Sequence, residues 1–275
     1  MHNLKNKTII ITGASRGIGR EIALKCAKDG ANIVIAAKSA EAHPKLPGTI
    51  FSVAEDVERA GGRALAIQLD VRDDAKVEAM MQQTADTFGG IDAIINNAGA
   101  IKLANAASLP MKRFDLMHQI NTRAVLSTAK AALPWLKKSD NAHILSLSPP
   151  LNMDPKWFTH FGPYTVTKYG MSMLTLSLAE EFKRFDISVN SLWPQTVIST
   201  AAIEFEGGGK STLEKGRKPA IMADAAYQIL TTQSGALNGE FLIDEALLAQ
   251  RGVTDFESYR YLKESDTPLM TDLFI

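Results

Sequence analysis

The sequence predicts an α/β fold in which a parallel β-sheet carries helices on both of its faces. Short β-rich runs alternate with helical patterns along most of the chain, and this alternation is typical of parallel sheets. Runs such as TIII and IVIAA are almost wholly apolar, as expected of strands that are covered on both sides. A chain of 275 residues that is 45% hydrophobic can bury a sizeable core as one α/β domain or two small ones.

The predicted elements follow one another in a strand–helix order. Helical patterns separate the strands at about 17–29, 49–60, 73–88, 112–137 and 164–184. The strands themselves are predicted at 8–12 (TIIIT), 32–37 (NIVIAA), 64–69 (ALAIQL), 91–95 (IDAII), 143–148 (HILSLS) and 187–192 (ISVNSL). Because a helix follows most strands, neighbouring strands are expected to pair in parallel.

Composition and charge exclude several classes of partner. The formal net charge is zero and long runs of like charge are absent, so neither nucleic acid nor a membrane surface is predicted as a partner. The single cysteine, Cys26, cannot form an internal disulfide, which indicates a reducing compartment and a cytoplasmic location. The His, Cys and carboxylate residues lack the spacing of metal ligands, so no metal is predicted.

A glycine-rich motif, TGASRGIG at 12–19, follows the first strand and opens the first helix. Gly13 and Gly17 would let the backbone turn tightly and approach a pyrophosphate, and Gly19 would let the helix pack closely on the sheet. The alternative is an ordinary turn between a strand and a helix. The position of the motif between the first strand and the first helix favours dinucleotide binding.

The end of the second strand carries a signal for the form of the dinucleotide. An acidic residue there would bind the 2′-hydroxyl of NAD, whereas a basic one accommodates the 2′-phosphate of NADP. Residues 36–39 contain no acid, Lys38 stands at this place, and Arg16 lies within the glycine-rich turn. We therefore expect NADP, the alternative being that both cations are solvated surface charges.

Five motifs together resemble the short-chain dehydrogenase/reductase family in their order and spacing over about residues 7–200. They are TGASRGIG, Asp70-Val71, Asn96-Asn97-Ala98-Gly99, Asn121 and Tyr164-Thr-Val-Thr-Lys168. The segments SAEAHPKLPG (39–48), SPPLNM and LWPQT are most similar to the hydroxysteroid-dehydrogenase-like branch. The resemblance implies a single Rossmann-type domain over 1–275, doubly wound on about seven parallel strands. Its cofactor half would span about 1–140, and its catalytic and substrate half about 141–275.

The resemblance also implies roles for individual residues. Asp70 would bond the adenine amino group with Val71 beside the ring, and Asn121 would hold a water in a proton relay. The alternative for Asn121 is a helix asparagine bonded to neighbouring backbone. The remaining cofactor contacts would come from Ser15, Arg16 and Ile18 in the glycine-rich turn, from Asn97, Ala98 and Gly99, and from Pro194.

Tyr164 and Lys168 form the predicted catalytic pair. Their spacing of four residues on a helix places both side chains on one face, where they can reach one ligand. The Lys168 ammonium is expected to lower the pKa of Tyr164 and to bond the nicotinamide ribose. Tyr164 would then exchange a proton with the substrate oxygen while NADP(H) and a carbonyl or secondary alcohol exchange a hydride.

The stretch SLSPPLN departs from the family pattern. Alignment on the usual N-I-S-S ending puts Pro149 where the family has a serine that orients the substrate oxygen, and proline has no donor. Ser148 is one residue away and is the remaining candidate, if the two prolines turn its hydroxyl into the site. Otherwise the protein is a slow enzyme, or a cofactor-binding sensor or scaffold that has lost turnover.

Two further segments carry expectations. In WPQT a glutamine, Gln195, replaces the usual glycine, and Ser199 and Thr200 are either cofactor contacts or helix caps. By the family resemblance, the segment 201–218 would close over the substrate, and its polar composition does not indicate a large apolar pocket. The helices at 112–137 and 164–184 carry apolar residues on more than one face. Examples are Leu126, Ala129 and Leu133 in the first helix, and Met171, Leu174 and Leu178 beside Met173 and Leu176 in the second. This width predicts a homodimer or homotetramer.

Overall fold

A computed structural model describes residues 3–43, 46–206, 208–263 and 266–275, without the side chain of Glu206. Residues 44 and 45, within the segment SAEAHPKLPG, lie outside the described residues. The described chain forms one parallel sheet of seven strands in the order β3-β2-β1-β4-β5-β6-β7, which confirms the predicted fold class. The strands are β1 (Thr8–Thr12), β2 (Asn32–Ala37), β3 (Arg63–Gln68), β4 (Ala93–Asn96), β5 (Ala142–Ser146), β6 (Ile187–Trp193) and β7 (Phe241–Ile243).

Helices cover both faces of this sheet. They are α1 (Gly17–Ala27), α2 (Ile50–Arg59), α3 (Asp74–Phe88), α4 (Met111–His118), α5 (Ala124–Leu136), α6 (Lys156–Thr159), α7 (Gly162–Phe182), α8 (Ala201–Glu206), α9 (Lys210–Leu213), α10 (Ala220–Leu230) and α11 (Asp244–Gln250). Short 3₁₀ turns stand at Lys183–Phe185 and Glu257–Tyr259. In the described ranges, no helix combines the length and the apolar character needed to cross a membrane.

The core lies in two layers because every strand side chain of β1 is buried and successive side chains alternate between the faces. Ile9 and Ile11 pack in the layer that contains Ile33 and Ile35 of β2. Ile10 packs in the opposite layer. An unbroken apolar run is therefore what a doubly covered strand requires.

The structure corrects two predicted boundaries. The helix expected over 112–137 is interrupted by a π-helical turn, Gln119–Arg123, which apolar periodicity does not reveal. The strand expected to reach Ser148 ends at Ser146. Beyond it, the backbone N–H of Ser148 donates to the carbonyl of Ser146 at 3.0 Å, which folds the chain into a tight turn before Pro149.

The strand order reverses between β1 and β4, which pair directly with each other while β2 lies on the far side of β1. Such a reversal leaves a crevice at the carboxyl ends of the strands, where open α/β sheets bind their ligands. The glycine-rich turn after β1 and the Asn-Asn-Ala-Gly turn after β4 both open at this edge.

Candidate active site

A cavity of about 870 Å³ occupies the carboxyl edge of the sheet. It brings together nearly all the residues that the sequence marks as functional. Those that line it are Gly13, Ser15, Arg16, Gly17, Ile18, Lys38, Asp70, Val71, Asn97, Ala98, Gly99, Asn121, Tyr164, Lys168 and Pro194. Gly19 and Ser148, two further predicted residues, do not line it.

The glycine-rich turn packs against the turn after β4. Gly13 has φ +69°, and a Cβ built there would stand 2.9 Å from the Cα of Ala98. A Cβ on Gly19 would stand 2.5 Å from Nδ2 of Asn97, so this glycine serves close packing, as the sequence predicts. The Asn97 amide donates to the carbonyls of Thr12 at 2.8 Å and Gly13 at 3.1 Å. The turn after β1 and the turn after β4 are thereby held together at one side of the cavity.

The start of α1 fits a phosphate group. Its N-cap residue, Arg16, provides no side-chain cap, so the first backbone N–H groups of the helix keep their donor capacity. Ser15 and Gly17 line the cavity at the same place. Free N–H groups and the positive end of the helix dipole favour an anion such as a pyrophosphate. The residues present therefore fit a dinucleotide.

Cationic groups gather where β2 ends. The guanidinium of Arg16 donates to the Ser39 hydroxyl at 3.0 Å and to the carbonyl of Pro47 at 3.0 Å. The ammonium of Lys38 lies 3.3 Å from a carboxylate oxygen of Asp70. The Arg72 guanidinium also bonds this carboxylate, and it is the main reason that the pKa of Asp70 is far below its usual range. Asp70 is thus an ionised carboxylate held between two cations.

Asn121 lies in the π-helical turn and is fully buried. Its side-chain oxygen accepts from the backbone N–H of Ala100 at 2.8 Å, and its amide donates to the carbonyl of Ala100 at 3.0 Å. The amide also donates to the Thr167 hydroxyl at 3.0 Å. These contacts match the alternative in which Asn121 bonds neighbouring backbone, and they join Ala100 to Thr167 of α7. A role of Asn121 in holding a water stays a prediction.

Tyr164 and Lys168 stand one turn apart near the start of α7, as predicted. Both side chains are buried, and both line the cavity. The ammonium of Lys168 donates to the carbonyl of Leu147 at 2.5 Å and lies 4.9 Å from the ring centroid of Trp193. The Tyr164 ring stacks on Phe274 with centroids 6.3 Å apart. The pair is therefore held between the end of β5, the end of β6 and the last residues of the described chain.

Electrostatics around this pair differ from the expectation. Burial raises the pKa of Tyr164 above its ordinary value, and the carboxylate of Asp272 adds to this effect. Burial also lowers the pKa of Lys168 to about 7, against a smaller opposing influence of Asp272. The expected lowering of the pKa of Tyr164 by Lys168 is not found, because burial of the phenol is the main influence and it acts in the opposite direction. The phenol is therefore protonated at neutral pH, which is the form that donates a proton.

The Ser148 side chain is fully buried away from the cavity. Its hydroxyl oxygen has no hydrogen-bond partner within the described part of the chain. The carbonyl of Pro149 accepts from the Ser172 hydroxyl at 2.6 Å, which ties the turn to α7. Leu147 lines the cavity, whereas the next residue, Ser148, does not.

The segment after β6 also lies at the cavity. Pro194 and Thr200 line it, whereas the Ser199 hydroxyl turns away and donates to the carbonyl of Leu213 at 2.6 Å. Ile203 and Phe205, from the segment expected to be polar, contribute apolar wall. The expectation drawn from that segment is wrong because Ile203 and Phe205 of α8 line the cavity, whereas Glu204 does not.

The last residues of the described chain form a cavity wall that the sequence motifs do not indicate. The backbone N–H of Asp272 donates to the carbonyl of Gln195 at 3.1 Å, and Trp193 donates from Nε1 to the carbonyl of Leu273 at 2.8 Å. Phe274 is buried among the rings of Tyr164 and Trp193. Only the folded chain reveals this wall, because no motif links residues 270–274 to the catalytic pair.

This combination of fold and cavity agrees with comparison to known proteins. A family model described as short chain dehydrogenase matches residues 7–206. The chain belongs to the short-chain dehydrogenase/reductase family of oxidoreductases, which confirms the predicted family.

The relatives place the chain in the hydroxysteroid-dehydrogenase-like branch. It is 54% identical over 269 residues to hydroxysteroid dehydrogenase-like protein 2 of Xenopus laevis, covering 98% of this chain and 63% of the relative. The human protein of that name is 50% identical over 268 residues with the same coverage. The chain thus spans 63% of the length of these relatives.

Solved structures agree with the short-chain dehydrogenase/reductase family. A putative dehydrogenase from Xanthomonas campestris has a TM-score of 0.95 and 49% identity, covering 99% of both chains. A short chain dehydrogenase from Mycobacterium thermoresistibile has a TM-score of 0.92 and 45% identity, covering 99% of this chain and 96% of that one.

Proposed function

We propose that the protein is an NADP-dependent oxidoreductase that interconverts a carbonyl compound and a secondary alcohol. The observation that carries this proposal is one cavity with a dinucleotide-type turn on its floor and a buried Tyr164–Lys168 pair in its wall. When bound, the nicotinamide ring supplies or takes up the hydride at the substrate carbon.

The chain's own residues handle the proton and the positioning. Tyr164 holds its proton at neutral pH and donates it to the substrate oxygen during reduction. Lys168 is anchored by the Leu147 carbonyl beside Tyr164, where it can bond a ribose hydroxyl and stabilise the phenolate that proton donation leaves. Trp193 and Phe274 exclude water from this end of the cavity and strengthen both interactions.

The proposal is tested by measuring NADPH oxidation with a panel of ketones and aldehydes, together with NADPH binding by nucleotide fluorescence. Saturable NADPH binding with substrate-dependent oxidation supports it. Failure to bind either nicotinamide dinucleotide contradicts it.

The second candidate is a cofactor-binding sensor or scaffold with weak or lost turnover. Two observations favour it: Pro149 stands at the position of the usual serine, and the Ser148 hydroxyl lies outside the cavity. Tight NADPH binding with no oxidation across the whole panel distinguishes this function from the first.

Replacement of Ser148 by alanine is expected to change kcat/KM by far less than the roughly 10²–10³-fold loss that follows removal of a donor to a developing oxyanion. The physical reason is that the hydroxyl is fully buried and does not line the cavity. The measurement is kcat/KM on one reducible substrate, with thermal unfolding as a check on folding. A hundredfold loss in a folded variant would show that Ser148 reaches the substrate.

We further propose that the protein assembles as a homodimer or homotetramer through the outer faces of α5 and α7. Leu126, Val166, Met173 and Leu176 are large apolar side chains that stay 41–57% exposed on these two helices. Several large apolar side chains left exposed on neighbouring helices are typical of an interaction site. Buried neighbours such as Met171 and Leu178 fill the core side of the same helix.

The Met173→Glu variant is expected to shift the protein to monomer, because a carboxylate cannot be buried without a partner. Sedimentation velocity at micromolar concentration measures the change. Phe51→Glu on α2 is the matched control, since Phe51 is 55% exposed and lies outside α5 and α7. A monomeric wild-type protein at micromolar concentration would contradict the proposed assembly.

The organisation and location of the protein are proposals as well. We propose that residues 1–275 act as one domain whose cofactor half and catalytic half meet near residue 140, since residues from Gly13 to Leu273 line a single cavity. The buried free thiol of Cys26 suits a reducing compartment, for which we propose the cytoplasm.

A further inference from the structure

The reaction proposed above needs a second hydrogen-bond donor at the substrate oxygen, and the usual serine does not supply one. Pro149 lacks a donor, and the Ser148 hydroxyl is buried outside the cavity. Another polar side chain of the cavity wall would therefore have to stand beside Tyr164. Asp272 lines the cavity together with Tyr164 and Lys168.

The backbone around Asp272 is fixed in place. The N–H of Asp272 donates to the carbonyl of Gln195 at 3.1 Å, and the N–H of Val197 donates to the carbonyl of Met270 at 2.9 Å. Thr196 and Thr271 form an antiparallel bridge between these bonds. The segment 270–272 is therefore paired through its backbone with the loop that follows β6.

Two aromatic anchors hold the residues that follow. The indole of Trp193 donates to the carbonyl of Leu273 at 2.8 Å. Phe274 is 1% exposed and stacks on Tyr164. Asp272 lies at the same end of the cavity as the catalytic pair, since its charge acts on both Tyr164 and Lys168.

The Asp272 carboxyl has one oxygen engaged and one available. Oδ1 accepts from the backbone N–H of Leu273 at 2.6 Å. Oδ2 has no hydrogen bond to any residue that the structure describes. Because Asp272 is one of the residues that line the cavity, Oδ2 is the oxygen left to bond a ligand there.

The surroundings of Asp272 favour its neutral form. Burial raises the pKa of Asp272 to about 7, and the carboxyl of Asp244 on α11 acts in the same direction. The hydrogen bond from the backbone N–H of Leu273 and, less strongly, the ammonium of Lys168 on α7 oppose this effect without offsetting it. The charge of Asp272 in turn acts on Tyr164, on the same helix as Lys168. Asp244 is itself fully buried, with its pKa raised to about 7 chiefly by burial although Arg217 opposes it.

We propose that the Asp272 carboxylic acid donates a hydrogen bond to the substrate oxygen beside Tyr164, in place of the missing serine hydroxyl. This proposal rests on the reductase function proposed above. The proton gained by the product alcohol comes from Tyr164, and Asp272 keeps its own proton throughout. Below about pH 7 the group is a carboxylic acid, and in this form it can donate to a developing oxyanion.

The test compares Asp272→Ala and Asp272→Asn with wild type in NADPH-dependent reduction of one ketone. At pH 6 we expect Asp272→Ala to lose about 10²-fold or more in kcat/KM, because it removes the donor. Asp272→Asn keeps an N–H donor and should stay within about tenfold of wild type. Asp266→Asn, on an exposed residue of the same tail, is the matched control and should behave as wild type.

The pH dependence separates a donor from a merely structural residue. Because Asp272 loses its proton above about pH 7 whereas the asparagine amide keeps its own, the ratio of kcat/KM for Asp272→Asn to that of wild type should rise about tenfold or more from pH 6 to pH 9. A ratio that stays flat, or an Asp272→Ala variant within threefold of wild type while folded, overturns the proposal.

A second measurement does not depend on turnover. Carbon-13 NMR of labelled aspartate, with the Asp272 signal assigned by its loss in Asp272→Asn, gives the titration of this carboxyl in the NADPH-bound protein. A midpoint near pH 7 supports the proposal, and a midpoint near pH 4 overturns it even if the ketone panel shows no oxidation. Absence of turnover with normal NADPH binding would refute the reductase function separately.

Discussion

Tyr164→Phe is expected to lower kcat/KM for carbonyl reduction by about 10²–10⁴-fold, which is the range typical of a lost general acid. The variant removes one oxygen from a ring that remains packed on Phe274 and 6% exposed, so the fold has no reason to change. Tyr164 is a buried phenol that stays protonated at neutral pH and lines the cavity beside Lys168. Without its proton, hydride transfer to the carbonyl carbon would leave an unprotonated alkoxide.

The measurement is steady-state reduction of one ketone by NADPH, with NADPH affinity determined in parallel. The affinity is expected to stay within about twofold of wild type, because the phenol acts on the substrate oxygen. Tyr169→Phe is the matched control on the same helix, since the Tyr169 hydroxyl donates to the carbonyl of Asn152 and does not line the cavity. It should lose about 1 kcal/mol of stability and keep most of its activity per folded molecule. Residual activity of Tyr164→Phe within tenfold of wild type would assign the proton to another group.

Local patterns explain why so much of the fold was predictable. TIIIT and NIVIAA lie in strands buried on both faces, so their composition alone indicates their position. The short strand β7, FLI, has no such signal and was expected only through the family resemblance. The strand forms because its residues pair with Ser191, Leu192 and Trp193 of β6. Such a pairing cannot be predicted from the local sequence of three residues.

The site was predictable where one motif supplies the geometry. Tyr164 and Lys168 lie together because a helix places residues four apart on one face, and Gly13 and Gly19 are needed because a Cβ would collide with the turn after β4. Asp272 escaped prediction because its place depends on pairing between 270–272 and the loop after β6. The orientation of the Ser148 side chain likewise depends on tertiary contacts and not on the local sequence.

The choice between NADP and NAD depends on charges whose partners the sequence does not show. Lys38 is 64% exposed and already lies 3.3 Å from Asp70, whose carboxylate also bonds Arg72. A 2′-phosphate would compete with Asp70 for the Lys38 ammonium. Arg16 stands at the same end of the cavity with its donors directed at Ser39 and the 47–48 backbone. Both cations line the cavity, so the NADP prediction depends on whether they exchange their present partners for a phosphate.

We expect Lys38→Asp to reverse the cofactor preference of the protein from NADPH to NADH. A hydrogen bond to a charged group contributes about 1.5–3 kcal/mol, so the loss of this contact should weaken NADPH binding by about 10–10²-fold. The new carboxylate also repels a 2′-phosphate, whereas it can accept a hydrogen bond from the 2′-hydroxyl of NADH. Because Lys38 is exposed, salt screening should shrink the effect, which is largest at low ionic strength.

The measurement is the dissociation constant of NADPH and of NADH for wild type and Lys38→Asp, at low and at physiological salt. Lys28→Asp makes the same change of charge on an exposed residue at the far end of α1 and should leave the ratio of the two constants unchanged. Arg16→Ala keeps Lys38 and should weaken NADPH binding less than Lys38→Asp does. Such a result would show that both cations contact the phosphate. Equal affinities of the wild-type protein for the two cofactors would contradict the NADP assignment, since the cations at the end of β2 would then contact no phosphate.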